Sequence, residues 1–152
     1  VGTLKRGEEV KILRDEENGW YAIDFEGHIR YVHGDYITTD QDEVNGYTAS
    51  SWDGPVLTAS AGTITGPSGK ETYYNLNMSG VVSIMRSLGN TDEYWVRDDG
   101  AKMLGNYVMV AANLNVHPRG SIVETSLGLG IVCDTGGFAS GNSTQLDIAV
   151  NW

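Results

Sequence analysis

The sequence has little of what usually pins a small protein together. Cysteine occurs once, at Cys133, so no disulfide can close within the chain. That fits a cytosolic protein and equally a secreted bacterial protein that uses few disulfides. Histidine occurs three times, at His28, His33 and His117, with no Cys or acidic cluster at ligand spacing. No metal set and no cofactor motif follow from that pattern. No apolar run approaches the ~18 residues that a membrane-spanning helix needs. Bases are scarce as well: 10 Lys and Arg stand against 20 Asp and Glu in 152 residues. The split is 5 bases to 11 acids in residues 1–50 and 5 to 9 in the rest, so the acidity is general and not a tail. A nucleic-acid partner is disfavoured, because phosphate binding needs a basic face. No signal peptide is visible. The chain opens in mid-pattern at "VGTLKRGEEV", as a piece of a longer protein does, so a missing targeting signal excludes nothing.

What is present is a run of short strands separated by turn residues, with 20 glycines. In residues 1–38, "EEVKILRD" alternates at period two, "ENG" signals a turn, and "WYAIDFEGHIRYVHGDYI" carries two strands around Glu26-Gly27. Residues 39–56 are polar and turn-rich, with Pro55 near the end, and read as a linker. From residue 57 to 152 the chain reads as a second, mainly β domain. "MSGVVSIMRSLG" is its one helix: Ser79 is the expected cap, Val81, Val82, Met85 and Leu88 the apolar face, and Gly89 the stop. A hairpin is expected around Asp98-Asp99-Gly100, then a buried strand at 107–112.

The chemistry concentrates in "IVCDTGGFASGNSTQLDIAVNW", residues 131–152, where Asp134 and Asp147 stand among apolar residues. Aspartate is seldom buried without a partner or a purpose. The structural alternative is that Asp134 caps its own turn and Asp147 pairs with Arg119 or Lys102. Cys133, inside an apolar strand with no neighbouring His, reads as a buried thiol. Tyr73 and Tyr74 read either as core or as platforms for sugar rings. "IVCDTGG" is also similar to the strand-Asp-Thr-Gly loop of aspartic proteases, whose paired aspartates share a proton. Only 16 residues follow Gly136, too few for the rest of that fold.

A longer pattern covers more of the chain. "YVMVAANLNVHPRGSIVETSLGLGIVCDTGGFASGNSTQLDIAV" runs a strand into Pro118-x-Gly120, a second strand, Asp-Thr-Gly-Gly, a small loop and a final Asp on a strand. This resembles the bacterial 3D domain, named for three aspartates. It is similar to the catalytic barrel of membrane-bound lytic transglycosylase A and to stationary-phase survival proteins. The second and third family aspartates fall on Asp134 and Asp147. The first falls on Asn113, a departure that removes a charge. "LTASAGTITGPSGKE" continues the likeness upstream, and residues 77–106 look like an insertion. The resemblance implies a six-stranded double-psi β-barrel with a small helical insertion.

It also implies a partner, the glycan strand of peptidoglycan. The implied reaction is lytic: the bond after N-acetylmuramic acid breaks and a 1,6-anhydro ring closes. Asp147 would be general acid and then base, with Asp134 beside it. Asn113, Thr135, Gly136 and Gly137 would meet the sugar, with Lys70 and Glu71 lining the cleft. Residues 1–38 resemble a bacterial SH3 domain, on the Leu4-Lys5-x-Gly7 turn, Gly19-Trp20-Tyr21, and Gly27 with Tyr31-Val32 before Tyr36-Ile37. The match lacks the usual first strand, so it implies a partial SH3-like barrel. Trp20 reads as a core aromatic. Together the two resemblances imply a secreted or wall-associated protein of a Gram-positive bacterium. The alternative function is a non-catalytic wall-binding module.

Overall fold

A computed structural model describes residues 4, 8–40 and 52–152. The chain divides into two compact units, 1–48 and 49–152. The expected linker, 39–56, falls across this division, and its residues 41–51 lie outside those described.

The first unit carries a three-stranded antiparallel sheet, β1 (Lys11–Asp15), β2 (Trp20–Phe25) and β3 (His28–His33), in the order β1-β2-β3. The β2–β3 turn is tight because both central residues, Glu26 (φ 54°) and Gly27 (φ 74°), adopt the left-handed backbone of a primed turn. Asp24 accepts a hydrogen bond from the Gly27 amide through Oδ1 at 3.0 Å, which holds that geometry. Ala22 and Ile23 are the buried apolar residues of this sheet. Trp20, expected in the core, is instead 44% exposed and packs edge-on against His33 at 5.3 Å between centroids. Tyr31, its neighbour in the motif, is exposed too.

The second unit is mainly β with one helix. Its strands are β4 (Thr63–Gly66), β5 (Gly69–Tyr74), β6 (Tyr94–Val96), β7 (Lys102–Leu104), β8 (Tyr107–Ala111), β9 (Ile122–Thr125), β10 (Gly128–Asp134) and β11 (Leu146–Ala149). They form one sheet in the order β4-β5-β11-β8-β10-β9, with β6-β7 attached to β8. Two pairings are parallel, β5 with β11 and β8 with β10. Among the described residues no backbone ladder joins β4 to β9, so the closed barrel expected from the sequence is not seen.

Side chains nonetheless tie the two ends of the sheet. Ser68 Oγ donates to the Glu124 carbonyl at 2.8 Å. Glu71, fully buried on β5, accepts from the Ser126 amide (2.9 Å) and the Ser126 hydroxyl (2.6 Å) in the β9–β10 turn. The room for that carboxylate comes from Gly66, since a Cβ there would stand 2.0 Å from Glu71 Oε1.

The helix α1 (Ser79–Ser87) covers one face of the sheet. Val81 and Met85 pack with Met109, Ile131, Cys133 and Ala149 in one buried cluster. Ser79 is not its cap. The Asn77 carbonyl oxygen Oδ1 takes the Ser79 amide at 3.0 Å, so the capping side chain lies two residues earlier. The expected stop at Gly89 is present: with φ 93° there, Gly89 N–H reaches Arg86 O and Asn90 N–H reaches Met85 O, each at 3.0 Å. That paired closure is a Schellman ending. Leu88, expected on the apolar face, is exposed.

The Glu71 clamp generates a stability prediction. Glu71→Ala strands the half-buried Ser126 donors and opens a void, which should cost about 2–4 kcal/mol in urea unfolding. Glu71→Gln keeps an acceptor for the Ser126 amide and should cost much less. Equal losses in the two variants would show that the hydrogen bonds carry nothing.

Candidate active site

The candidate site is built by strand register. In the parallel β8–β10 ladder Asp134 stands beside Ala111, and in the antiparallel β8–β11 ladder Asp147 stands beside the same Ala111. Across the next ladder Asp147 is level with Thr72 on β5. The row Asp134–Ala111–Asp147–Thr72 therefore crosses four strands. Its two aspartate backbones are two strand spacings apart, about 9–10 Å. Between them Ala111 contributes only a methyl group, and it is buried.

A bulge puts Asp134 in that row. Val132 pairs with Val110 and Asp134 with Ala111, so one residue, Cys133, is extra on β10. Without it, the alternation would turn Asp134 to the face of Val110, Val132 and Leu146, which form a separate buried cluster. Cys133 itself is buried, and burial pushes its thiol up to about 12. It is inert packing in the cluster beneath α1.

Each carboxylate is held from its own side. Thr135 N–H donates to Asp134 Oδ1 at 2.9 Å, and the Tyr74 hydroxyl lies 3.3 Å from Oδ2. Burial, and then the charge of Asp134, push the Tyr74 phenol upward, so it remains a neutral donor. Asp147 is half-buried. Thr72 Oγ1 donates to Asp147 Oδ1 at 2.6 Å, and the buried Gln145 donates through Nε2 to Thr72 Oγ1 at 3.0 Å. A hydroxyl has one proton. Thr72 accepts from Gln145 and gives that proton to Asp147 Oδ1, an arrangement that leaves Oδ2 to carry a carboxyl proton. The reverse amide orientation would make Gln145 and Asp147 compete for the same proton.

Burial raises the Asp147 pKa, the Thr72 hydrogen bond works against this, and the charge of Asp134 adds to the rise. The bases considered as partners of Asp147 are engaged elsewhere. Arg119 Nε donates to the Cys133 carbonyl, and Lys102 Nζ to Asn75 Oδ1 and the Leu76 carbonyl.

Other expected site residues divide. Asn113, Thr135 and Gly136 line a groove of about 370 Å³ with Ala139 and Ser140, and no residue of the row lines it. Gly137 continues the same exposed loop into a 3-10 turn. Asn113 makes two loop hydrogen bonds: Nδ2 donates to the Ala139 carbonyl (2.9 Å) and Oδ1 accepts from Asn115 N–H (2.9 Å). An ionised Asp could make only the second bond. Lys70 and Glu71 are not brought to the row. Lys70 is exposed near the β4–β5 turn, and Glu71 points to the opposite face, into its Ser126 clamp. Period-two alternation along β5 separates Glu71 from Thr72. Tyr73 packs on Trp152 in the core, at 4.6 Å between centroids, while Tyr74 joins the site. Sequence reasoning missed Thr72 and Gln145, because only the parallel β5–β11 register brings Thr72 to Asp147 and Gln145. A larger surface cavity, of about 540 Å³, opens elsewhere in the unit, away from the carboxylates. The carboxylate row is the better site for acid-base chemistry, since cavity size says nothing about proton transfer.

Residues 1–38 match the family model of the bacterial SH3 domain. No curated protein matches the chain. No solved structure matches it either.

The electrostatics predict two outcomes. A carboxyl raised in the folded state contributes stability below the ordinary Asp range, and that contribution is lost as pH rises through the folded pKa. Asp147→Asn should therefore raise Tm by a few degrees near neutral pH and give no gain in acid. A drop in Tm at neutral pH would mean that the carboxylate is a structural acceptor. Thr72→Val removes a donor to the ionised form and should push the Asp147 pKa higher still, read by carboxyl-carbon NMR. An unchanged or lower value would contradict the Gln145–Thr72–Asp147 chain.

Proposed function

We propose that the second unit is a 3D-type domain that cleaves peptidoglycan glycan strands, as a lytic transglycosylase. The observation that carries this is that Asp147 and Asp134 stand level on one sheet face, on the two strands that flank Ala111. Glycoside cleavage needs an acid that stays protonated toward neutral pH. Asp147 gives its Oδ2 proton to the glycosidic oxygen as the bond from C1 of N-acetylmuramic acid breaks. The positive charge that develops on the sugar lies near Asp134. The carboxylate of Asp147 then takes the proton of the sugar's own 6-hydroxyl, whose oxygen closes on C1. The proton count balances, no water enters, and the product is a 1,6-anhydro ring.

The two parallel pairs and the side-chain ties between β4–β5 and β9–β10 support a double-psi β-barrel as the underlying fold. The bacterial SH3 match supports a wall-binding role for the first unit, whose exposed Trp20 and Tyr31 are suited to contact with a glycan or peptide. Such a protein would be secreted or wall-associated.

A second reading, a wall-binding module without catalysis, has one observation in its favour. The position of the first family aspartate is Asn113, and its amide is spent on loop structure.

Digestion of purified sacculi separates the two. The unmodified chain should release fragments whose mass is one water short of the hydrolysis product. Asp147→Asn should reduce release by about 10²-fold or more, the usual scale for losing a general acid. Full activity in Asp147→Asn removes the catalytic assignment, and binding without release supports the second reading.

A further inference from the structure

The larger cavity, about 540 Å³, opens over the first turn of α1 and is lined by Lys102, Asn75, Asn77, Leu76, Val82 and Tyr94, among others. We propose that it binds the free carboxylate of a short peptide with small apolar side chains. This is independent of the glycan chemistry at Asp147.

Lys102 carries the inference. The residue is 6% exposed and lines the cavity, as do the two residues its ammonium bonds. It donates to Asn75 Oδ1 and to the Leu76 carbonyl, both at 2.6 Å. Those acceptors are dipoles and not charges. An ammonium has three protons to donate, and the third has no partner among the described residues. The ion pairs there are Arg14–Glu16, His33–Asp35 and Arg97–Asp99, and none reaches Lys102. A buried cation normally acquires a counter-charge. In a chain with twice as many acids as bases, its absence is not for want of acids. Burial accordingly lowers the Lys102 pKa, with nothing opposing it.

The neighbours add donors and no negative charge. Asn75 turns its carbonyl oxygen to Lys102, and Asn77 turns its own to the Ser79 amide. Both side-chain NH₂ groups have no hydrogen-bond partner among the described residues. The cavity also lies at the positive end of the α1 dipole. One cation with neutral donors matches one negative charge, which is a carboxylate and not a doubly charged phosphate. Leu76, Val82 and Tyr94 form apolar walls, and Leu76 and Tyr94 are exposed large side chains. The volume lies in the range of small-ligand sites and exceeds what a lone carboxylate fills.

The test is calorimetric titration of the full chain with N-acetyl-Ala-Ala in its L,L and D,D forms, with the C-terminal amide of each, and with acetate. The free acid should bind about tenfold or more tightly than its amide or acetate. Preference for the D,D form would point to wall peptides, and for the L,L form to protein C-termini. Lys102→Met should lose that tenfold, while Lys102→Arg retains part of it. Should Lys102→Met fail to fold, NMR titration of Lys102 in the unmodified chain gives the same answer, since a bound carboxylate raises its lowered pKa. Equal binding of acid and amide, no binding at millimolar peptide, or a Lys102 pKa that ignores the peptide would each overturn the proposal.

Discussion

The arrangement at the candidate site rests on how β8 is held between β10 and β11. Ala111 is the meeting point. One neighbour approaches in a parallel ladder and the other in an antiparallel one, and each brings an aspartate to the same level. A shift of one residue in either ladder would send one carboxylate to the opposite face, where Val110, Val132 and Leu146 pack. Apolar burial on both faces of β8 makes such a shift costly, because Val108, Met109 and Val110 are all fully buried. The register of the core thus fixes the register of the site.

The same face supplies burial and exposure in sequence. Beneath α1 it is packed with Met109, Ile131, Cys133 and Ala149. Beyond the helix it ends in the row of Asp134, Ala111, Asp147 and Thr72. Asp147 is therefore at the margin of the core, half-buried, and its charge is disfavoured there. Tyr74 bridges the two environments: its ring packs on the cluster beneath the helix and its hydroxyl meets Asp134. The carboxyl that is most buried, Glu71, is the one removed from the row, and two donors from Ser126 hold it.

Much of the local structure was legible in the sequence. Period-two alternation located most strands, the Glu26-Gly27 and Asp98-Asp99-Gly100 turns declared themselves by their residue types, and Gly89 marked the helix end. Helix capping was misplaced by two residues because Asn77 and Ser79 are both good caps, and only geometry decides between them. The two aspartates were legible as a pair through their motif. That Asp134 faces Asp147 was not, since strict alternation predicts the opposite face and the bulge at Cys133 reverses it. Glu71 was grouped with Lys70 by adjacency, although neighbours on a strand point to opposite sides. Trp20 was read as a core aromatic, but three short strands bury only Ala22 and Ile23 among their apolar residues. Contacts such as Gln145 with Thr72, 73 residues apart, have no local signal at all.

The central claim is that the two aspartates form one electrostatic unit in which burial and the charge of Asp134 raise the Asp147 pKa. Carboxyl-carbon NMR titration of Asp147, in the unmodified chain and in Asp134→Asn, tests it most directly. The account predicts that Asp147 titrates above the ordinary aspartate range and that its pKa falls when the neighbouring charge is removed. An ordinary Asp147 pKa that does not move in Asp134→Asn would contradict it.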